Sequence, residues 1–226
     1  MLTKVALEER SHSIYLGMYT RGTLLAEAFY SILAELESVG IPFTLGTPII
    51  GKCIEDANNE MAEDFLASGC GYLLHLDDDQ VLPNDALRLM LEAHADVVTL
   101  HACNRGKKYR SGIKRFWERP DNHRREEGKI SYFSQAVMLA TRRVFELLPK
   151  PWWLAQNDKT GEIYFCESVL THASLTQVTL PIVSPHLEVI TFNGASDEFR
   201  FMCRRHGRDY GHQIIKYECV SDFKSV

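Results

Sequence analysis

The chain has 226 residues, of which 45% are hydrophobic and 24% charged, with a formal net charge of −5. Those proportions suit one α/β domain with a sizeable core, and they exclude a molecule built throughout to bind polyanions. No apolar run approaches the roughly 18 residues that span a bilayer, and the charged opening MLTKVALEERSHS lacks a signal peptide's apolar stretch, so a cytoplasmic protein with no membrane span is expected.

In chain order, SIYLGM (13–18) predicts a first strand, followed by a turn at Thr20-Arg21-Gly22. Leu25, Ala28, Phe29, Ile32, Leu33 and Leu36 then fall on one face of a helix over 24–39, which Gly40 and Pro42 stop. Residues 43–50 predict a second strand, weakened by Gly46 and Pro48. A second helix over 54–67 turns Ile54, Ala57, Met61, Phe65 and Leu66 inward. YLLHL (72–76) is nearly continuous in apolar character, as suits a central strand covered on both faces. It runs directly into Asp77-Asp78-Asp79-Gln80. Asn84 is the expected cap of a third helix over 85–93, and 96–102 predicts another strand.

This alternation of strand and helix argues for a mostly parallel central sheet flanked by helices, a Rossmann-like α/β fold. Ligands of such sheets bind beyond the carboxyl ends of the strands, which is where the aspartates stand. Further on, 134–140 predicts a strand leading into a helix over 141–148, bracketed by Pro149 and Pro151. Two more strands are expected at 177–183 and 187–192, and the tail from 197 is mixed, with one short helix. The six cysteines show no CxxC pair, so reduced thiols are expected in place of a zinc site or a disulfide framework. The whole chain, 1–226, reads as one domain in three stretches, 1–102, 103–193 and a tail at 194–226.

Three consecutive carboxylates at the end of a buried strand repel one another unless a cation or hydrogen-bond donors compensate. Mg²⁺ or Mn²⁺ suits such a site, taking one or two carboxylates together with substrate phosphates and water. If the segment stays extended, Asp77 and Asp79 share a face and Asp78 takes the other. The alternative is a solvated acidic turn that caps the next helix.

Several segments resemble GT-A glycosyltransferases related to family 2. GYLLHLDDDQVLPNDALRLMLEAHADVVTL resembles their strand, aspartate–x–aspartate motif, proline-containing turn and helix. IYLGMYTRG resembles the first nucleotide-binding strand and its loop, and IEDANNEMAEDFLASG the helix before the motif. SQAVMLATRRVFELLPKPWW resembles the acceptor-side strand and helix, and TGEIYFCES the later acidic motif. Two departures stand out. Asn58 replaces a family arginine, and LEVITFNG lacks the late metal-binding histidine, leaving Asn193 or His186 as candidates.

The resemblance implies a nucleotide-sugar-dependent transferase, with residues 1–102 as its nucleotide-binding half and 103–193 as its acceptor half, a UDP-sugar as the first candidate donor and Mn²⁺ or Mg²⁺ as cofactor. Asp77, Asp79 and Asn193 would hold the metal. Thr20, Arg21, Asn59, Asp77, His101 and Arg105 would contact the donor, and Trp152 and Trp153 would form an acceptor platform or simply pack in the core. Glu162 would act as the base towards the acceptor hydroxyl, and Asp78 is a second catalytic candidate. Residues 105–125 carry nine arginines and lysines against Glu118 and Asp121, a local excess of +7. With Tyr109, Phe116 and Trp117 interleaved, that segment reads as a lid over the donor diphosphate, as a DNA contact together with 200–216, or as a solvated loop. The rival activities are nucleotidyl transfer and sugar-nucleotide binding without catalysis.

Overall fold

The computed structural model describes residues 12–20, 25–102, 132–156, 159–193 and 199–206. In chain order the elements are β1 (Ile14–Thr20), α1 (Ala26–Val39), β2 (Phe43–Leu45), β3 (Ile49–Ile50), α2 (Ile54–Ser68), β4 (Tyr72–Asp77), α3 (Ala86–Glu92) and β5 (Val97–Ala102). After these come β6 (Val137–Thr141), α4 (Arg142–Leu147), α5 (Gly161–Thr171), β7 (Gln177–Ser184), β8 (His186–Asn193) and β9 (Phe199–His206).

Seven strands form one mixed sheet in the order β2-β1-β4-β6-β5-β7, with β3 pairing with β1 beyond β2. β1 runs parallel to β2, β3 and β4, and β5 runs parallel to β7. Only β6 is reversed, antiparallel to both β4 and β5. β8 and β9 make a separate two-stranded antiparallel ribbon. The carboxyl ends of β1, β4, β5 and β7 therefore lie on one edge, together with the start of β6.

The period of two in each strand sorts the core onto two faces. Ile14, Leu16, Met18, Leu74 and Leu76 pack with Ile32 and Leu36 of α1 and with Leu87 and Met90 of α3. Tyr15, Leu73, Met138 and Ala140 pack with α2, α4 and α5 through Met61, Phe65, Phe145 and Phe165. α2 lies so close to β1 that a Cβ on Gly17 would stand 2.4 Å from Met61 Sδ.

The sequence boundaries need four corrections. The second strand is broken into β2 and β3 by the Gly46–Pro48 segment, where Gly46 turns inward and donates its N–H to Leu16 O at 2.9 Å. Asn84 does not cap α3. The buried Glu35 of α1 accepts from the Asp85 N–H at 2.9 Å and the Leu87 N–H at 3.1 Å, and Asp85 itself is left-handed, with φ 64°. Residues 161–171, read from sequence only as an acidic motif, are a helix, with the Thr160 hydroxyl accepting from the Ile163 N–H at 3.5 Å. The tail opens with β9, and the short helix expected there lies outside the described residues. No helix among the described residues is long and apolar enough to cross a membrane.

Glu35 is worth a direct test, because one buried carboxylate serves two orphan amides at a helix start. Glu35→Ala is expected to cost about 2–3 kcal/mol in denaturant unfolding, the scale for charge-assisted bonds whose buried donors lose their acceptor. Glu35→Gln, which keeps an acceptor oxygen, should cost less. Equal stability of wild type and Glu35→Ala would mean that water serves these amides as well.

Candidate active site at the carboxyl edge of the sheet

From β1 the chain passes to β2 and β3 on one side, then returns through α2 to β4 on the other. The strand order thus reverses between β1 and β4, and the crevice outside such a reversal is where open α/β sheets bind ligands. Tyr19 of β1 pairs with Asp77 of β4 at that point. Thr20 ends β1 and is buried.

The aspartates are held by main-chain bonds. Asp77 N–H donates to Ala136 O at 3.0 Å, and the Gln80 N–H closes a turn onto Asp77 O at 3.2 Å. The turn is also sewn to the β7–β8 junction. Leu187 N–H donates to Asp79 O at 2.8 Å, Val81 N–H to Pro185 O at 2.9 Å, and the Ser184 hydroxyl to Gln80 Oε1 at 2.8 Å. Because the chain turns after Asp77, the strand alternation expected through Asp79 does not hold. Asp77 and Asp78 are half-buried, and Asp79 is buried at 7% exposure. Asp79 is thus withdrawn from solvent, while Asp77 and Asp78 stay partly open to it.

Among the described residues, no group of three or more His, Cys, Asp or Glu side chains is placed to hold a metal ion by itself. The all-oxygen donor set still suits Mg²⁺ or Mn²⁺ held jointly by one or two carboxylates and a ligand's phosphates. Asn193 ends β8, opposite Phe199. Arg21, Arg105 and the basic segment 105–125 lie outside the described residues, and of 200–216 only the strand through His206 is described. His101 stands at the carboxyl end of β5, half-buried, on the same edge as the aspartates.

By strand parity Asp77 shares the face of Leu73 and His75, which is the face covered by α2 and α5. Both helices begin at this edge. Glu55 in the first turn of α2 accepts from the Gly161 N–H at 3.1 Å, and Gly161 opens α5. A Cβ there would crowd Glu55 Cγ, so any other residue would displace the Glu55 side chain. Glu162 follows. It is exposed as a whole residue, yet the protein around its carboxyl group and the nearby Glu55 charge push its pKa above the ordinary glutamate value.

Two expected ligand contacts belong instead to the interior. Trp152 and Trp153 are 1% and 2% exposed. Trp153 stacks on Phe165 at 4.4 Å between ring centroids, and the Trp152 Nε1–H donates to Phe145 O at 3.2 Å. Neither ring offers a face to a sugar, so core packing is the reading that fits them. Asn59 spends its amide on the same segment. Its Nδ2 donates to Glu55 O at 2.9 Å and Trp153 O at 2.7 Å, while Oδ1 accepts from the Trp152 N–H at 2.9 Å and the Trp153 N–H at 3.2 Å. Asn59 is therefore a clamp between helix and loop, not a donor contact. An open depression of about 770 Å³ lies along α2, lined by Lys52, Cys53, Asp56, Asn59, Glu60 and Glu63, and includes none of the three aspartates.

The sequence reading missed Gln135, Glu55 and Glu35. All three act through contacts between residues distant in the chain, which no local pattern announces. No protein-family model and no curated protein matches this chain. Among solved structures, A197 from STIV is similar over 87% of each chain, with 11% sequence identity and a TM-score of 0.48, a likeness too distant to carry a functional argument.

Proposed function

We propose that the chain is a metal-dependent glycosyltransferase of the GT-A type, which moves a sugar from a nucleotide-sugar donor, a UDP-sugar in the first instance, to an acceptor hydroxyl. One observation carries the reading. Three successive aspartates, none of them fully exposed, turn off β4 at the crevice where the strand order reverses.

In this reading Asp77, with Asp79 across the turn, would hold Mn²⁺ or Mg²⁺ together with the donor phosphates, and Asp78 would border the same crevice. Bound there, the ion would neutralise charge on the departing diphosphate as a Lewis acid. Thr20 would flank the donor from the end of β1 and His101 from the end of β5, with Arg21, the next residue in sequence after Thr20, as a further candidate contact. Glu162, at the start of α5, takes the acceptor proton as the acceptor oxygen bonds to the anomeric carbon. The electron pair of the broken carbon–oxygen bond leaves with the nucleoside diphosphate.

A thermal-shift screen tests the reading. UDP-glucose or UDP-N-acetylglucosamine with Mn²⁺ is expected to raise the melting temperature by roughly 5–10 °C at about 100 times the dissociation constant. Either component alone should do much less. A shift with nucleoside triphosphates and none with nucleotide sugars would favour nucleotidyl transfer. Stabilisation without any hydrolysis or transfer of the sugar would favour a binding module.

A further inference from the structure

Gln135 is 3% exposed and sits in the lead-in to β6, one residue before the Ala136 carbonyl that receives the Asp77 N–H. Every polar group of its side chain is engaged. Its Nε2 donates to Glu162 O at 2.8 Å and to Cys166 Sγ at 3.3 Å, and its Oε1 accepts from the Trp153 Nε1–H at 2.7 Å. Its own carbonyl accepts from His75 Nδ1 at 2.7 Å. A carbonyl can only accept, so His75 carries its proton on Nδ1.

Cys166 completes the arrangement. It donates to Phe133 O at 3.3 Å, and burial pushes its pKa up to about 12, so it stays a thiol and not a thiolate. A glutamine at the end of a solvated loop would have no need of four protein partners. Here the partners come from β4, the Trp153 loop and two turns of α5. They join the strand that ends in the aspartates to the turn that carries Glu162.

We propose that Gln135 is a positioning residue, one that fixes the first turn of α5, and with it Glu162, against the carboxyl end of β4. Glu55 holds the same turn from the α2 side through Gly161, so the turn is gripped at two successive residues. Positioning matters because about 1 Å of misplacement in a reacting group can cost on the order of 100-fold in rate. The catalytic consequence rests on the glycosyltransferase reading, whereas the positioning itself does not.

The test uses Gln135→Met, which keeps the volume and removes the amide. Val169→Ala on the same helix serves as a control that weakens the core without touching Gln135. Two readouts are taken: hydrogen exchange of the 160–166 peptide, and kcat and KM for UDP-glucose hydrolysis with Mn²⁺. In Gln135→Met, exchange at 160–166 should quicken at least tenfold, and kcat should fall at least tenfold with KM within twofold. Val169→Ala, compared at a similar loss of melting temperature, should hold kcat within twofold. Unchanged exchange in Gln135→Met, or an equal kcat loss in both variants, overturns the proposal. Should Gln135→Met fail to fold, Trp153→Phe removes the Nε1–H donor that orients the amide, together with part of the ring stacked on Phe165, and is compared with Val169→Ala at a similar loss of melting temperature. A wild-type protein that turns over no nucleotide sugar sinks the transferase reading, and the exchange measurement still decides the positioning.

Discussion

Asp77→Asn is expected to lower kcat/KM for sugar transfer by at least about 100-fold, the scale of several kcal/mol that Lewis-acid stabilisation of a leaving group supplies. The fold should survive, because two main-chain bonds hold this position whichever of the two side chains it carries. The Asp77 N–H to Ala136 O bond and the Gln80 N–H to Asp77 O bond do not involve the side chain. Asparagine keeps the shape and loses the charge, so the variant separates electrostatics from packing. Raising Mn²⁺ should recover only a small part of the loss, since the missing ligand is not replaced by mass action on the remaining ones. Stabilisation by UDP-glucose with Mn²⁺ should shrink in parallel. Wild-type turnover in Asp77→Asn at low Mn²⁺ would remove Asp77 from the site altogether.

How much of this was legible follows from the range over which each signal acts. Strand and helix order was readable because YLLHL and the Ile32–Leu36 face record their own burial in local periodicity. The position of the aspartates at the sheet edge follows from that order and the crossover rules. The reversed β6 was not readable, since its pattern VMLAT is as apolar as a parallel strand's and its direction depends on a long connection. The helix starts were misread for a related reason. α3 and α5 receive carboxylates from Glu35 and Glu55, on helices about 50 and 106 residues away in sequence. A cap borrowed from another helix leaves no Ser-x-x-Glu pattern to find at α3, whereas α5 also carries a local cap in Thr160. Trp152 and Trp153 show the opposite failure, since exposed platforms and buried cores use the same residue type and only the fold tells them apart.

Glu162→Gln is expected to reduce kcat by at least about 100-fold while leaving donor affinity within about twofold, because a general base acts only as the acceptor bond forms. Wild-type activity should rise with pH along a limb displaced above the ordinary glutamate value of 4.5, since the base must be deprotonated and both the protein around the carboxyl group and the Glu55 charge raise its pKa. That limb should vanish in the variant. Stability gives an independent check with a definite sign. A carboxyl group whose pKa is raised on folding favours the native state fully at low pH and loses that contribution as pH rises through the folded value. The amide of Glu162→Gln cannot ionise beside Glu55, so the variant should melt no lower than wild type at neutral pH and somewhat higher where Glu162 would be charged. The two proteins should converge below about pH 4, where the wild-type group is protonated as well. An unchanged kcat together with a raised acceptor KM would make Glu162 a binding group and leave the proton to another acceptor. A variant less stable than wild type at every pH would instead mean that the Glu162 carboxylate is held by partners that favour its charge.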